Sequence, residues 1–460
     1  MNREPRPFRF RVIITIGWVC LEIVSGRPQT NSISKKEPPG AMAEAVSWAA
    51  THAVPLATYE PENGFADLHP LKKIIGNRPV VAYGEGMHNT HEYLAFRNRL
   101  FEFLVEQMGF TAIAVETGYS ESVAADDYVL GRDVDRRKAA TAVFSWVRTP
   151  SEESAQLIDW MRAYNARPST KRRVRFYGLD LTGGRNGTFS EARIAVDAAL
   201  QYLMTTDREL GQQLHLVLDP LLDSFNTTGY TALSQEQRNT VTGALADMVG
   251  AFERDHIWYV RISSSMEYHR AYQHAVVARQ LDMNFRAQTR WTAQPQRDAS
   301  MARNLMWILQ REGPDGRVLV FAANNHVRKS TRLGLVELSK GNTAQVIVRE
   351  SDLGQYLDDL IGKRMIVIGS FFNQGAVGEK GGKTRQIPPS PPLSLNTAFM
   401  DGVRKPLFLL DLSRLPREGP LADWLATGKP VWNYRFEGNP ARSFDALVVF
   451  DAISPLRPLK

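Results

Sequence analysis

Four short apolar runs, each leading into an acid or an imidazole, constrain what this 460-residue chain can fold into more than any other feature. Residues 80–83 lead into Gly84-Glu85-Gly86-Met87-His88, residues 111–115 end on Glu116, residues 174–177 lead into Gly178-Leu179-Asp180, and residues 318–321 lead into Ala322-Ala323-Asn324-Asn325-His326. Apolar runs of this length read as strands. Helical patterns alternate with them: residues 90–108 carry Leu94, Leu100, Phe103 and Leu104 at helical spacing and stop at Gly109. Strands alternating with helices predict an α/β fold with a mainly parallel central sheet flanked by helices. In an open sheet of that kind ligands bind beyond the carboxyl ends of the strands. Glu85, His88, Glu116, Asp180 and His326 are therefore expected at one edge.

The rest of the chain fits around this frame. A first helix is expected over residues 41–54, stopped by Pro55, and another starting at Thr149, with Thr149, Pro150 and Glu152 as N-cap, N1 and N3. Residues 190–312 show long helical patterns without a convincing strand, and Ser234 with Gln237 forms a second capping pair. Further strands are expected at 345–348, 365–368, 407–410 and 447–450, some antiparallel near the C-terminus. Residues 374–394, rich in Gly, Lys and Pro, read as a mobile surface loop and a candidate lid. The predicted organisation is a leader and linker at 1–40, an α/β domain in two parts at 41–188 and 313–460, and a helical subdomain at 189–312.

The net charge of +7 would ordinarily suggest an acidic partner. Seven basic and two acidic residues, however, fall within the first thirty-six, leaving about +2 for the remainder. Nucleic-acid binding loses its support, and a monomer acting on a small molecule is expected. The same leader has a basic start to Arg11, an apolar run over 12–21 and small residues Ser25 and Gly26, the layout of an export signal. The run is too short for the ~20 residues that span a bilayer. Export to a periplasmic or extracellular compartment follows if the leader is cleaved, and a cytoplasmic location otherwise. Cys20 is the only cysteine, so no disulfide and no cysteine nucleophile is expected in the folded part.

Carboxylates beside imidazoles suit general acid–base hydrolysis: a histidine near neutral pKa takes a proton from water while a carboxylate fixes its tautomer. Arg97, about two turns into the helix after the first strand, reads either as a solvated helix-face arginine or as a cation for a carboxylate or an oxyanion. His88 and His91 raise metal ligation, but the segment crosses a loop-to-helix junction and reverses the order of the metalloprotease motif. Thr90 reads more simply as a helix cap and Glu92 as a first-turn acid. Gly382-Lys383-Thr384 lacks the first glycine of a phosphate loop, and no Gly-x-Ser-x-Gly elbow occurs. Activated water is the remaining hydrolytic route, with no metal and no cofactor expected.

These residues resemble the erythromycin esterase family, and the chain is similar also to succinoglycan-biosynthesis-related proteins. The resemblance rests on Gly84-Glu85-x-x-His88, Glu92 and Arg97, Ala114-Val115-Glu116-Thr117-Gly118, Asp127-Tyr128-Val129-x-Gly131, Phe176-Tyr177-Gly178-Leu179-Asp180, Arg297-Asp298-x-x-Met301-Ala302-x-Asn304 and Asn324-x-His326. It implies a metal-independent esterase that opens a macrolide lactone, a reaction linked to antibiotic resistance, with His88 as general base on water. Glu85, Arg97, Glu116 and His326 are the other expected catalytic residues. Asn324, Asp180, Met87 and His91 are expected to contact substrate. Two departures stand out: Ala323 replaces the first histidine of the family's His-Asn-x-His, and Met87 and Asn89 replace its usual small residue and glycine. They leave open a different substrate, saccharide- or peptide-like, for a hydrolase or transferase of the same fold, and a degenerate binding protein as a third reading.

Overall fold

The apolar runs become strands of one nine-stranded sheet. The computed structural model describes residues 40–61, 64–146, 150–184, 189–287, 290–337, 345–379, 383–428, 432 and 439–460. Residues 1–39, which hold the expected leader, lie outside the described residues, as does Thr149. The strands are β1 (Val54–Pro55), β2 (Val80–Glu85), β3 (Ala112–Gly118), β4 (Arg175–Asp180), β5 (Val318–Ala323), β6 (Thr331–Glu337), β7 (Gln345–Ser351), β8 (Met365–Gly378), β9 (Thr384–Ile387), β10 (Leu407–Asp411) and β11 (Ala446–Ile453). Along the sheet they run β1-β10-β11-β8-β2-β5-β3-β4, with β9 paired to β8. The run from β11 to β4 is parallel, and β10 is antiparallel to β11. This is the mixed, mainly parallel α/β sheet that the pattern predicted.

Its four site-bearing strands are neighbours. Glu85 is in register with Ala323 across β2 and β5, β3 lies on the other side of β5, and Gly118 of β3 pairs with Asp180 of β4. The register slips between Val115 and Gly118, so Glu116 sits on an irregular strand end. Such bulges re-aim a side chain at the rim of a sheet. Alternate residues feed two cores: Val81, Tyr83, Ile113, Val115, Leu319 and Phe321 on one face, Val80, Ala82, Ala112, Ala114, Val318 and Val320 on the other. Both faces are covered, as an all-parallel arrangement requires.

The helix His91–Met108 covers the first face with Leu94, Phe96, Leu100 and Phe103 and ends at Gly109, whose φ of 70° is the left-handed cap that glycine adopts freely. Burial of each such side chain is worth ~1.5–3 kcal/mol, which outweighs any helix propensity. The helix Arg290–Glu312 contributes Met301, Leu305 and Ile308 to the second face. Between β4 and β5 the chain is helical, from Arg193–Thr206 through Ser265–Arg286 to Arg290–Glu312, and Ser234 with Gln237 forms the expected capping box. Among the described residues no helix is long and apolar enough to cross a membrane.

Four local expectations are corrected. The helix expected to start at Thr149 is Glu152–Ala166 and is capped by Ser151, whose Oγ accepts from the Ser154 amide at 3.1 Å. Ser151 is held extended by a bridge to Pro458, a long-range contact invisible in the local pattern. Residues 374–378 and 384–387 are not loop but a strand pair, β8 with β9, anchored by buried Val377 and Ile387. Among the described residues the strand at Gln345 does not join the main sheet; β7 pairs with β6 in a separate antiparallel ribbon. The first helix ends at His52, because Val54 and Pro55 pair with β10 as β1.

Candidate active site

Beyond the ends of β2, β5, β3 and β4 two groups of side chains form. In the first, His88 Nδ1 lies 2.5 Å from Glu85 Oε1. Glu85 ends β2 and is buried, whereas the His88 side chain, though surrounded by protein on its inner side, is 52% exposed. The turn between them is tight: a Cβ on Gly86 would stand 2.6 Å from the Ser370 carbonyl oxygen. Asn89 then takes φ 61°, a left-handed conformation that asparagine tolerates better than most residues. That backbone requirement accounts for a glycine or asparagine at position 89.

The second group is an ion-pair chain. Arg297 donates from Nε to Asp180 Oδ1 at 2.9 Å and from Nη2 to Asp180 Oδ2 at 2.5 Å and Glu116 Oε1 at 2.8 Å. Glu116 Oε2 accepts from the Ala323 amide at 2.9 Å, tying β3 to β5. His326 stands between two carboxylates, with Nε2 3.1 Å from Glu116 Oε1 and Nδ1 2.5 Å from Asp298 Oδ1. The Arg297 guanidinium is stacked over Trp146 at 4.6 Å. Burying these charges is costly unless each is paired, and here each is.

Charge sets the protonation states. For His326 burial opposes the cation, but Asp298 and Glu116 outweigh it and hold its pKa well above 6.5. Burial likewise pushes Glu116 up, yet His326 and Arg297 bring it well below the ordinary carboxylate range. His88 is raised above 6.5: burial lowers it, and the charge and hydrogen bond of Glu85, joined by the charge of Glu116, raise it. His88 and His326 also oppose one another electrostatically, which couples the two groups.

The remaining sequence candidates are placed differently from expectation. Arg97 is fully buried, its guanidinium 5.0 Å from the Phe321 ring and hydrogen-bonded to Asn98 Oδ1 at 2.9 Å. It is not at the opening; its charge acts on Glu85 from within the core, and burial brings its own pKa down to about 10 against the pull of Glu85 and Glu153. His91 is buried, with Nδ1 2.6 Å from Glu153 and Nε2 3.0 Å from Glu60. Asn324 clamps β5 to β8, donating to Ser370 O at 2.7 Å and accepting from its amide at 3.2 Å. Asp180 is consumed by Arg297. Met87 packs, half-buried, against the core. Thr90 occupies the cap position of its helix, but its hydroxyl donates to Met87 O instead. Among the described residues no group of three or more His, Cys, Asp or Glu side chains is placed to hold a metal ion.

Arg297 and Asp298 were not among the site residues expected from sequence. They lie on a helix, not after a strand, and their signal in the sequence is the segment Arg297-Asp298-x-x-Met301-Ala302-x-Asn304, which belongs to the family resemblance.

A profile of the erythromycin esterase family matches residues 105–453, most of the chain. The chain belongs to the erythromycin esterase family. Erythromycin esterase type II of Escherichia coli is 24% identical over 299 residues, spanning 62% of this chain and 68% of that protein. A crystallised succinoglycan biosynthesis protein matches with TM-score 0.72 and 23% identity over 91% of this chain and 99% of its own. An EreC erythromycin esterase mutant in its open conformation matches with TM-score 0.63 and 15% identity over 87% and 97%. At these identities the two structures establish the fold. Membership of the erythromycin esterase family supports a hydrolytic, esterase-type activity on a small molecule.

Proposed function

We propose that this erythromycin esterase family member hydrolyses a carboxylic ester, with a macrolide lactone as the leading substrate, by general-base activation of water at His88. The observation that carries the reading is the short Glu85–His88 contact on a half-exposed ring. With Nδ1 turned to Glu85, Nε2 is the nitrogen left to take a proton from water, and the carboxylate stabilises the imidazolium that forms. The hydroxide attacks the ester carbonyl, the acyl–oxygen bond breaks, and the imidazolium returns the proton to the leaving alkoxide. The products are a carboxylate and an alcohol, the ring-opened acid in the case of a lactone. Arg297 and His326 are matched by Asp180, Glu116 and Asp298, so the role left to them is to hold Glu116 ionised near His88, and Arg97 lies behind Glu85 with its charge drawn to that carboxylate. Ring opening would inactivate a macrolide, so we also propose a resistance phenotype.

Ala323 bears on substrate choice. It is in register with Glu85 on the neighbouring strand, so its side chain falls on the same face. A methyl group in place of a histidine removes a polar group from that face, which favours a different set of substrate contacts there.

Purified protein incubated with a panel of macrolides, sugar esters and peptides should yield a macrolide product heavier by one water. His88→Ala should keep its circular dichroism spectrum and lose roughly 10²–10⁴ in turnover. A folded His88→Ala protein of near-normal turnover would overturn the assignment. Hydrolysis confined to the sugar esters or peptides would overturn the macrolide.

A further inference from the structure

A cavity of about 100 Å³ opens between the first residues of β4 and the helices Tyr119–Val129, Ser265–Arg286 and Arg290–Glu312. Tyr119, Tyr177, Met266, His269 and Trp307 are among the side chains that line it, and Arg311 and Arg175 connect it to a groove of about 400 Å³. The groove is rimmed by Arg132, Arg172, Arg173, Arg175 and Arg311, with Glu312 as its one acid.

Three of these arginines are already matched: Arg132 by Asp127 at 3.1 Å, Arg172 by Glu312 at 2.9 Å and Arg175 by Asp126 at 2.7 Å. Arg173 and Arg311 make no ion pair with any described residue. Inside the cavity the surplus of donors continues. Trp307 Nε1, which can only donate, and His269 Nδ1 are both buried without a hydrogen-bond partner. Burial, then the charges of Arg311 and His256, bring His269 down to about 4, so the ring is neutral and has one N–H to give. Asp126 and Glu312 face the same space, but each is held by its own partners: Arg175 and Arg270 for the first, Arg172, Thr111 and Tyr177 for the second. Unpaired buried donors are destabilising, and unmatched guanidinium groups favour a planar or tetrahedral oxyanion.

We propose that this cavity and groove form a second ligand site for a small organic oxyanion, a phosphate monoester or a carboxylate, with the anionic group at Arg311 and Arg173 and the apolar remainder against Tyr119, Met266 and Trp307. The site shares no residue with the Glu85–His88 centre and does not depend on the hydrolytic reading.

Isothermal titration of the full chain with phenyl phosphate, benzoate and inorganic phosphate tests it. Saturable binding of phenyl phosphate or benzoate is expected, and the tighter of the two identifies the anion class. Arg311→Gln should weaken that binding at least about tenfold, Arg173→Gln less, and His88→Ala should leave it unchanged. Should Arg311→Gln fail to fold, Arg173→Gln, on the exposed rim, decides by any loss beyond error. Absence of saturable heat with both organic anions, equal affinity in the arginine variants, inorganic phosphate binding as tightly as phenyl phosphate, or loss of binding in His88→Ala would each overturn the proposal.

Discussion

Asn89 and Glu85 control His88 from opposite sides, one through the backbone and one through charge. Because Asn89 sits at φ 61°, Asn89→Gly should melt within about a degree of the parent. Asn89→Val forces a β-branched residue into left-handed space and should cost about 1–2 kcal/mol, read as a lower denaturant midpoint. Glu85 sets the pH response. In the proposed mechanism neutral His88 is the base, and its pKa is raised, so activity should climb with pH through a midpoint above the unperturbed value of about 6.5. Glu85→Gln removes the strongest upward influence, so the midpoint should fall while turnover drops. A kcat/KM profile whose midpoint does not move in Glu85→Gln would assign the acid limb to another group.

Elements explain which parts of this site could be anticipated. A residue after a strand has its position set by the sheet, so Glu85, His88, Glu116 and His326 could be placed at one edge from spacing alone. The reach of a helix residue depends on how the helix packs, and Arg297 and Asp298 became visible only once Arg290–Glu312 lay across the sheet. The same limit explains contacts that spacing did not show. Asp180, Asn324 and His91 have polar side chains near the right strand ends, yet Arg297, Ser370 and Glu153 occupy them. The strand positions and the helical stretch between β4 and β5 follow the periodicity closely, whereas the order of the strands, the β6–β7 ribbon and the β8–β9 pair depend on partners distant in the chain. Arg297→Lys tests the element directly. An ammonium keeps the charge but not the fork that joins Asp180 to Glu116, so stability should fall by about 1.5–3 kcal/mol. Unchanged melting would mean that the helix is held by its apolar face alone.

Across the whole molecule the buried ion-pair chain makes stability depend on pH in two directions. His326 is raised in the folded state, so its contribution is full below about 6.5 and declines as pH rises through the folded value. Glu116 is depressed, so its contribution is full above about 4.5 and is lost as pH falls. The cluster should therefore stabilise the fold most between about pH 4.5 and 6.5, and the declines in melting temperature below and above that window should be smaller in a Glu116→Gln, His326→Gln double variant. A double variant with the parent's pH profile would remove these two groups as the source. The helix that supplies Arg297 and Asp298 has a further consequence. Its 23 residues extend roughly 35 Å, and it follows without a strand from the helices that precede it. Under the proposed mechanism, a chimera that grafts the helical stretch of one relative onto the sheet of another would transplant the cation and the acid that hold Asp180, Glu116 and His326, and it is expected to lose turnover wherever those partners do not match.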